Sequence, residues 1–513
     1  MYSIPTKVGK LVSVDRDQSR WNLISDTPVP ITPQFFASRA IVETLEQDLL
    51  VQVLETAQIP NLTHLGYTAD AHLGRGTAIG TTMVAKLNQN PMISASTVGV
   101  DIGCGVSVQL TPLQAEDLHD QPTIRSWMKI VEKAVRPGEG QKSPYKLHND
   151  ELWDAAVAGP AGVRGELANM LQADDEIPYI EDGHLHAVRV ATSTTGLKLK
   201  DPKKHISDRA WERTYTTVGT LGGGNHFLEL QIVRIVPGME DLARTWGLHD
   251  GQVVVMLHSG SRGGGHQIAQ EYEKLMLAEM QARSLPRPNP EVAYIPLHTP
   301  LGAAYMMAQA FALNVSRLNR MLMRRAIRQA FDEIYGVKPA DVRLLYDIAH
   351  NFCASEEHNG QRYIVHRKGA TKALPAGHMG NVPSYRSTGH PVIIPGSMGA
   401  RSRSYILVGL PSGLVNYYTV NHGAGRTMSR NQARREITIE EFEASLTYTE
   451  EELSELPFSL PVNQVMLNKR DLKQVIDEAP SAYKESKEII DSVVNAGLAK
   501  VVAECLPIAC IKG

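Results

Sequence analysis

The sequence predicts an α+β fold, and three features carry that reading. Residues 253–257, 392–395 and 405–410 are short, apolar and β-branched, and Gly or Pro closes them, as expected of buried strands ending in loops. Residues 305–331 have helical length, abundant Ala, Met and Arg, and no Pro. Nothing repeats at a fixed period and no linker interrupts the chain, so one large domain spanning residues 1–513 is the simplest organisation.

Taken in order, residues 70–74 and 99–105 read as glycine-containing loops with polar side chains. Residues 222–226 are another such loop, and 227–233 fit either a strand or a helix. The strand at 253–257 runs into a third glycine-rich loop, His258 to His266. Residues 285–300 contain Pro286, Pro288, Pro290, Pro296 and Pro300 and are expected to be an extended surface insertion. The long helix follows, then a buried element over 344–349 ending at His350. After the strands at 392–395 and 405–410, residues 440–456 read as an acidic helix, within a mainly helical elaboration over 436–500.

Composition limits the function. With 513 residues, 42% hydrophobic and 21% charged, the chain can bury a substantial core. Lys and Arg total 52 against 55 for Asp and Glu, so any nucleic-acid site must be a local basic patch rather than the overall charge. Cys104, Cys353, Cys505 and Cys510 are too scattered for a disulfide scaffold. The first twenty residues lack a signal-peptide hydrophobic core, and no apolar run approaches the roughly 20 residues that span a bilayer. A cytoplasmic protein with no membrane association is expected.

Histidines recur in glycine-rich settings, where the backbone can approach a ligand closely. Asp101 and Cys104 share a loop with Gly99, Gly103 and Gly105. A carboxylate and a thiol so placed can meet a borderline divalent ion such as Zn²⁺ or Mn²⁺, or be a capping Asp beside a buried Cys. His258 and His350 each end a buried element and could equally be core histidines. Together with His226 after Gly222–Gly224, they favour a metal site with several ligands.

Six blocks then carry a resemblance: 99–106 (GVDIGCGV), 219–229 (GTLGGGNHFLE), 258–263 (HSGSRG), 366–371 (HRKGAT), 394–399 (IPGSMG) and 422–426 (HGAGR). In this order they resemble the signature motifs of the RtcB family of RNA ligases, from about Asp70 to Gly513. The resemblance implies a single catalytic domain with mixed or antiparallel sheets surrounded by helices. It implies an enzyme that joins an RNA 3′-phosphate or 2′,3′-cyclic phosphate to a 5′-hydroxyl, in RNA repair or tRNA splicing, with GTP and two Mn²⁺ ions. By the same resemblance Asp101, Cys104 and His226 hold one ion and Cys104, His258 and His350 the other, and His422 is the nucleophile that takes GMP. Asn225, His226, Phe227, Leu228, Glu229, His350, Asn351, Pro395, Gly396, Ser397, Met398, His422, Gly423, Ala424, Gly425 and Lys512 would surround the nucleotide.

The stretch from Gly399 to Tyr405 is two residues longer than the family pattern, which leaves Ser404 as the nucleotide-contacting serine and Ser402 as the alternative. Asp70 and His72 match a family block and are expected to support the site. Arg262, Arg367, Lys368 and Arg426 are expected to bind RNA. A helix starting at 423–426 would align Arg426, Arg430 and Arg434, and the long helix adds Arg317, Arg320, Arg324, Arg325 and Arg328 as a basic patch or a solubilising face. Partners implied are RNA ends and GTP, with an archease-like activator as a further candidate, acting on a monomer. A binuclear phosphatase or phosphodiesterase independent of GTP, an enzyme that only guanylylates 3′ ends, and an RNA-end-binding protein are the alternatives.

Overall fold

Two eight-stranded sheets carry the chain in a computed structural model that describes residues 2–171, 173–182, 185–199, 201–469 and 471–513. The first runs Ser3–Thr6, Gly9–Ser13, Arg20–Ser25, Gln34–Phe36, His64–His72, Ile79–Lys86, Gln361–Lys368, Asn351–His358. The second runs Arg343–Ala349, Gly105–Gln114, Gln252–Ser259, Phe227–Ile235, Ala499–Lys512, Ser404–Gly409, Pro391–Ile394, with Met466–Leu467 added beside Ala499–Lys512. Gln34–Phe36 pairs parallel with His64–His72, as Met466–Leu467 does with Ala499–Lys512; the other pairings in these two sheets are antiparallel. The α+β expectation therefore holds, and the segment after Asn225 that fitted strand or helix is a strand.

The second sheet positions the histidines. His258 pairs with Val106 on one side and Phe227 on the other, while Ala349 pairs with Gly105. Four neighbouring strands thus place Cys104, His226, His258 and His350 at one shared end. Sequence separations of more than a hundred residues collapse to side-by-side placement.

The long helix extends further than its pattern required, from Pro300 to Tyr335. The Thr299 side chain accepts from the Gly302 N–H, Pro300 occupies the first turn where no donor is needed, and Gly336 closes the end in the left-handed region. Nearly every turn is buried, as in a helix that is core on all sides. Its arginines correct the basic-patch expectation. Arg317, Arg320, Arg324 and Arg328 are each 3% exposed or less, and the last three pair with Asp347 and Glu176. Arg320, Arg324 and Arg328 enter the core with their charges matched, and the matching carboxylates lie elsewhere in the chain.

Further readings are corrected. Within 285–300 the middle is not at the surface: Val292, Ala293, Tyr294, Ile295 and Leu297 are fully buried, and Tyr294–Pro296 pairs with Met92–Ser94, while 285–291 and then His298 and Pro300 meet solvent. The acidic helix over 440–456 is two short helices, Ile439–Ser445 and Glu450–Ser454, because Thr449 caps a new start with Glu452 in a capping box. The rest of 436–500 is loops and short turns as much as helix, and Arg470 within it lies outside the described residues. No helix starts at 423–426; the helix Arg430–Glu436 begins after Ser429, whose side chain accepts from the Gln432 N–H.

Cys104, Cys353, Cys505 and Cys510 are buried and unbridged. Among the described residues no helix is long and apolar enough to cross a membrane.

Candidate functional site

At the shared strand ends, donor atoms converge. Cys104 Sγ lies 3.3 Å from His226 Nε2 and 3.2 Å from His258 Nε2, and His258 Nε2 lies 3.3 Å from His350 Nε2. His226 Nε2 is 3.0 Å from Asp101 Oδ2, and His266 Nε2 is 3.5 Å from Asp101 Oδ1. Cys104, His226 and His258 alone form a buried group able to hold a metal ion, with His350 and Asp101 at either end. His258 Nδ1 lies 3.1 Å from the Asn225 carbonyl; donation to it leaves the Nε2 lone pair facing the cluster, the tautomer a metal ligand requires. Arg262 Nη1 donates to His226 Nδ1 at 3.1 Å, which sets this arginine beside the cluster.

The electrostatics suit a cation. Burial, the neighbouring imidazoles and nearby cations hold His258 and His350 well below the usual histidine range. Burial also lowers His226, against the pull of Asp101, so the three rings are neutral; His226 accepts at Nδ1 from Arg262 and holds its proton on Nε2 toward Asp101, a proton that a bound ion at Nε2 would displace. Burial pushes Asp101 upward, but bonds from His226 and His266 outweigh it and keep the carboxyl well below its ordinary value. Burial and then Asp101 push the Cys104 thiol well up. A bound dication reverses that preference, since a coordinating thiol deprotonates. Thiolate, imidazole and carboxylate together fit a borderline divalent ion. Only glycine suits position 260, because a Cβ there would fall 2.2 Å from Asp101 Oδ2.

His422 stands next to this cluster, its ring centroid 5.0 Å from that of His350. Asp70 Oδ2 accepts from the His422 backbone N–H at 3.0 Å and lies 2.7 Å from Nδ1. Thr68 Oγ1 donates to the other oxygen at 2.6 Å. Burial would raise Asp70, but His422 and Thr68 bring it below its ordinary value, so it is a carboxylate. Lys484 Nζ donates to the carbonyls of Ala69 and Ala71, fixing the strand on both sides of Asp70. Gly425, at φ +74°, packs so closely on Asp70 that a Cβ would sit 2.3 Å from its carbonyl oxygen.

Two cavities meet at His422, with Ile79 and Asn225 also common to both walls. One is lined by Phe227, Pro395, Gly396, Ser397, Met398, Gly423, Ala424, Gly425, Arg426, Arg430, Tyr483 and Lys512. Ser397 Oγ is buried there without a protein partner. Lys512 Nζ is 3.2 Å from Glu478 Oε2, a carboxylate that the sequence reading missed because nothing local marks it. The other cavity is lined by Arg75, Gly99, Asp101, Cys104, Glu273, His350, Asn351 and Lys368.

Most of the residues expected around a nucleotide line the first cavity, and several do not. Leu228 points the opposite way from Phe227, as alternate strand residues must, and packs in the core with Leu230 and Ile232. His350 and Asn351 line the second cavity, and the Asn351 amide is engaged at both ends, donating to the Asp101 carbonyl and accepting from Gly369 N–H. Ser404 is fully buried, its hydroxyl accepting from Gly396 N–H at 3.0 Å and from Gln231 Nε2 at 3.0 Å. It therefore braces the 395–398 loop rather than facing the cavity. Glu229 is 1% exposed, with Oε1 unpartnered.

The expected RNA contacts are also revised. Arg367 is fully buried, with both terminal nitrogens on the Glu356 carboxylate, so its charge is spent inside the first sheet. Lys368 Nζ donates to the carbonyls of Arg75, Thr77 and Ser96 at 2.6, 2.7 and 3.0 Å, which ties down the loops bordering the second cavity. Arg426 donates to Met428 O, Asp477 O, Glu478 and Tyr483, committing it to the 477–483 segment.

The chain matches known proteins over nearly its whole length. A family profile described as RtcB, tRNA-splicing ligase RtcB, matches residues 52–513. The tRNA-splicing ligase RtcB of Thermococcus kodakarensis is 32% identical over 507 residues, covering 97% of this chain and 98% of that protein. The RNA-splicing ligase RtcB of Mycobacterium bovis is 34% identical over 470 residues, 90% of this chain and 100% of that one. The tRNA-splicing ligase RtcB of Aeropyrum pernix is 33% identical over 487 residues, 93% and 94% of the two chains.

Proposed function

This chain belongs to the RtcB family, and from that premise we propose that it is an RNA ligase of tRNA splicing or RNA repair that seals 3′-phosphate or 2′,3′-cyclic phosphate ends to 5′-hydroxyl ends with GTP. One observation supports this most strongly: His422, oriented by Asp70, stands in the wall shared by two cavities and against the donor cluster. A nucleophile that first takes a nucleotidyl group from one substrate and then passes it to another needs access to both.

With Nδ1 directed at a carboxylate, the His422 Nε2 lone pair is free to attack. Nε2 forms a bond to the α-phosphorus of GTP, and the bond to pyrophosphate breaks. The nucleotide occupies the cavity lined by Phe227, Pro395 to Met398, Gly423 to Gly425 and Lys512, where the unpartnered Ser397 hydroxyl offers a hydrogen bond. An RNA 3′-phosphate in the second cavity then attacks the guanylylated His422, which leaves as the neutral imidazole. The 5′-hydroxyl attacks the activated end, and GMP departs. Asp101, Cys104, His226, His258 and His350 are the residues that would hold the Mn²⁺ ions, which would supply charge neutralisation at the phosphoryl oxygens.

The experiment is to incubate metal-stripped protein with Mn²⁺ and GTP labelled at the α-phosphate, then separate it under denaturing conditions beside His422→Ala. Acid-labile label on the parent alone is the expected result. Label retained on His422→Ala overturns the assignment of the nucleophile, and no label on a folded, metal-loaded parent overturns the GTP-dependent reading.

A further inference from the structure

The donor cluster is gripped from behind by one turn of the long helix. Gly103 precedes Cys104, Ser259 follows His258, Asp347 lies three residues before His350, and Gly219 and Thr220 open the loop that leads to His226. Arg320 Nη1 donates to the Gly103 carbonyl at 3.1 Å and to the Ser259 carbonyl at 2.9 Å, while its Nε and Nη2 hold the Asp347 carboxylate at 3.0 and 2.6 Å. Ser316 Oγ donates to the same Gly103 carbonyl at 2.5 Å. Asn319 Nδ2 donates to Ser259 Oγ and to the Gly260 carbonyl, both at 3.1 Å, and its Oδ1 accepts from Gly219 N–H at 2.7 Å and Thr220 N–H at 3.2 Å. All three side chains are fully buried.

Sheet pairing aligns the strands, but each of these ligands sits at or just beyond a strand end, where register alone leaves the loop free to shift. A guanidinium is planar, with donors in a fixed fork, so its acceptors are held at separations set by a rigid group. Arg324 grips the other oxygen of Asp347 and is itself anchored on Glu176, so the fork cannot swing. The bonds of Ser316, Asn319 and Arg320 end on the backbone beside Cys104 and His258, on the loop leading to His226, and on the strand that ends at His350.

We propose that Arg320, with Ser316 and Asn319 on the same helical turn, is a positioning residue that sets the spacing of Cys104, His226, His258 and His350 and thereby the affinity and geometry of the ion they hold. The inference rests on the metal reading of this cluster.

The test is a Co²⁺ titration of the full chain, stripped with chelator, following affinity, the visible d–d bands and the thiolate charge-transfer band, with thermal midpoints measured alongside. The variants are Arg320→Lys, Ser316→Ala and, as control, Arg328→Lys, which disturbs the same buried ladder at Glu176 and at the Val342 carbonyl, at the far end of the strand that leads to His350, but bonds to no residue adjoining a ligand. Arg320→Lys is expected to weaken Co²⁺ binding by about 10–100-fold, the usual cost of losing a group that orients metal ligands, and to shift both sets of bands. Ser316→Ala, which keeps the Arg320–Asp347 pair and should fold if Arg320→Lys does not, is expected to shift the bands in the same sense with a smaller loss of affinity. Arg328→Lys should lower the thermal midpoint yet keep the parent's affinity and spectrum. Parental affinity and bands in Ser316→Ala and in any folded Arg320→Lys overturn the positioning role, as does an equal loss in Arg328→Lys. A parent that takes up no Co²⁺ overturns the metal reading itself, which separates the two failures.

Discussion

Asp70 Oδ2 lies 2.7 Å from His422 Nδ1 and, in the same pose, accepts the His422 backbone N–H at 3.0 Å. The carboxylate thus fixes the ring's rotation and its tautomer together. In Asp70→Asn an amide N–H can face Nδ1, which favours the tautomer with its proton on Nε2 and removes the attacking lone pair. Guanylate formation should fall by on the order of 10³–10⁴-fold, the scale seen when the carboxylate of an Asp–His pair becomes an amide. Single-turnover labelling of parent and variant, with bound metal measured on both, checks this. Near-parental labelling in Asp70→Asn would mean that the backbone bond alone suffices.

Cys104 Sγ lies within 3.3 Å of two imidazole nitrogens, those of His226 and His258. If it bridges two ions, Cys104→Ala should strip both rather than one. Affinity should fall by more than the about 10–100-fold typical when a ligand's supporting partner is lost. Metal analysis after gel filtration checks the stoichiometry. Retention of one tight ion would assign Cys104 to a single site.

The local parts of this site were legible and the assembly was not. Glycines around Asp101 and Cys104, and His258 at the end of an apolar run, are short-range signals, and they marked real members of the cluster. That Val106 and Phe227 flank His258 is a matter of register between strands far apart in the chain, which no local pattern encodes. The same limit explains the misread charges. Arg320, Arg324 and Arg367 look like surface residues until Asp347, Glu176 and Glu356 are brought to them by the fold. No helix starts at 423–426, the conditional start that would have aligned Arg426 with Arg430 and Arg434. Gly425 takes a left-handed φ to pack against Asp70, and the helical start moves to Arg430 behind the Ser429 cap.

The arginine ladder makes a stability prediction that separates it from an RNA surface. Glu176 is 1% exposed and receives bonds from Arg324 and Arg328. Glu176→Gln leaves two buried guanidinium groups short of one negative charge, a loss of about 3–5 kcal/mol by the usual cost of breaking a buried pair. Urea unfolding checks it. The salt dependence of RNA binding should be unchanged, because none of these charges reaches solvent. A variant with parental stability and a shallower salt slope would return the ladder to the RNA surface.

Glu229 gives a pH signature with a definite sign. Burial pushes its carboxyl up to about 7, over the opposing pull of Gln231 and Lys512, from an ordinary value of 4.5. Between those values the folded protein holds a proton that the unfolded chain has released. Its contribution to stability is therefore fully present below about pH 4.5, declines as pH rises through about 7, and is constant above. Glu229→Gln removes this dependence, so the stability of the parent minus that of the variant should fall by on the order of 3 kcal/mol across the window. Urea midpoints of both proteins between pH 4.5 and 8 check it, and taking the difference cancels other titrating groups. A difference that instead rises with pH would mean that Glu229 is held ionised, with the Lys512 ammonium rather than burial deciding its state.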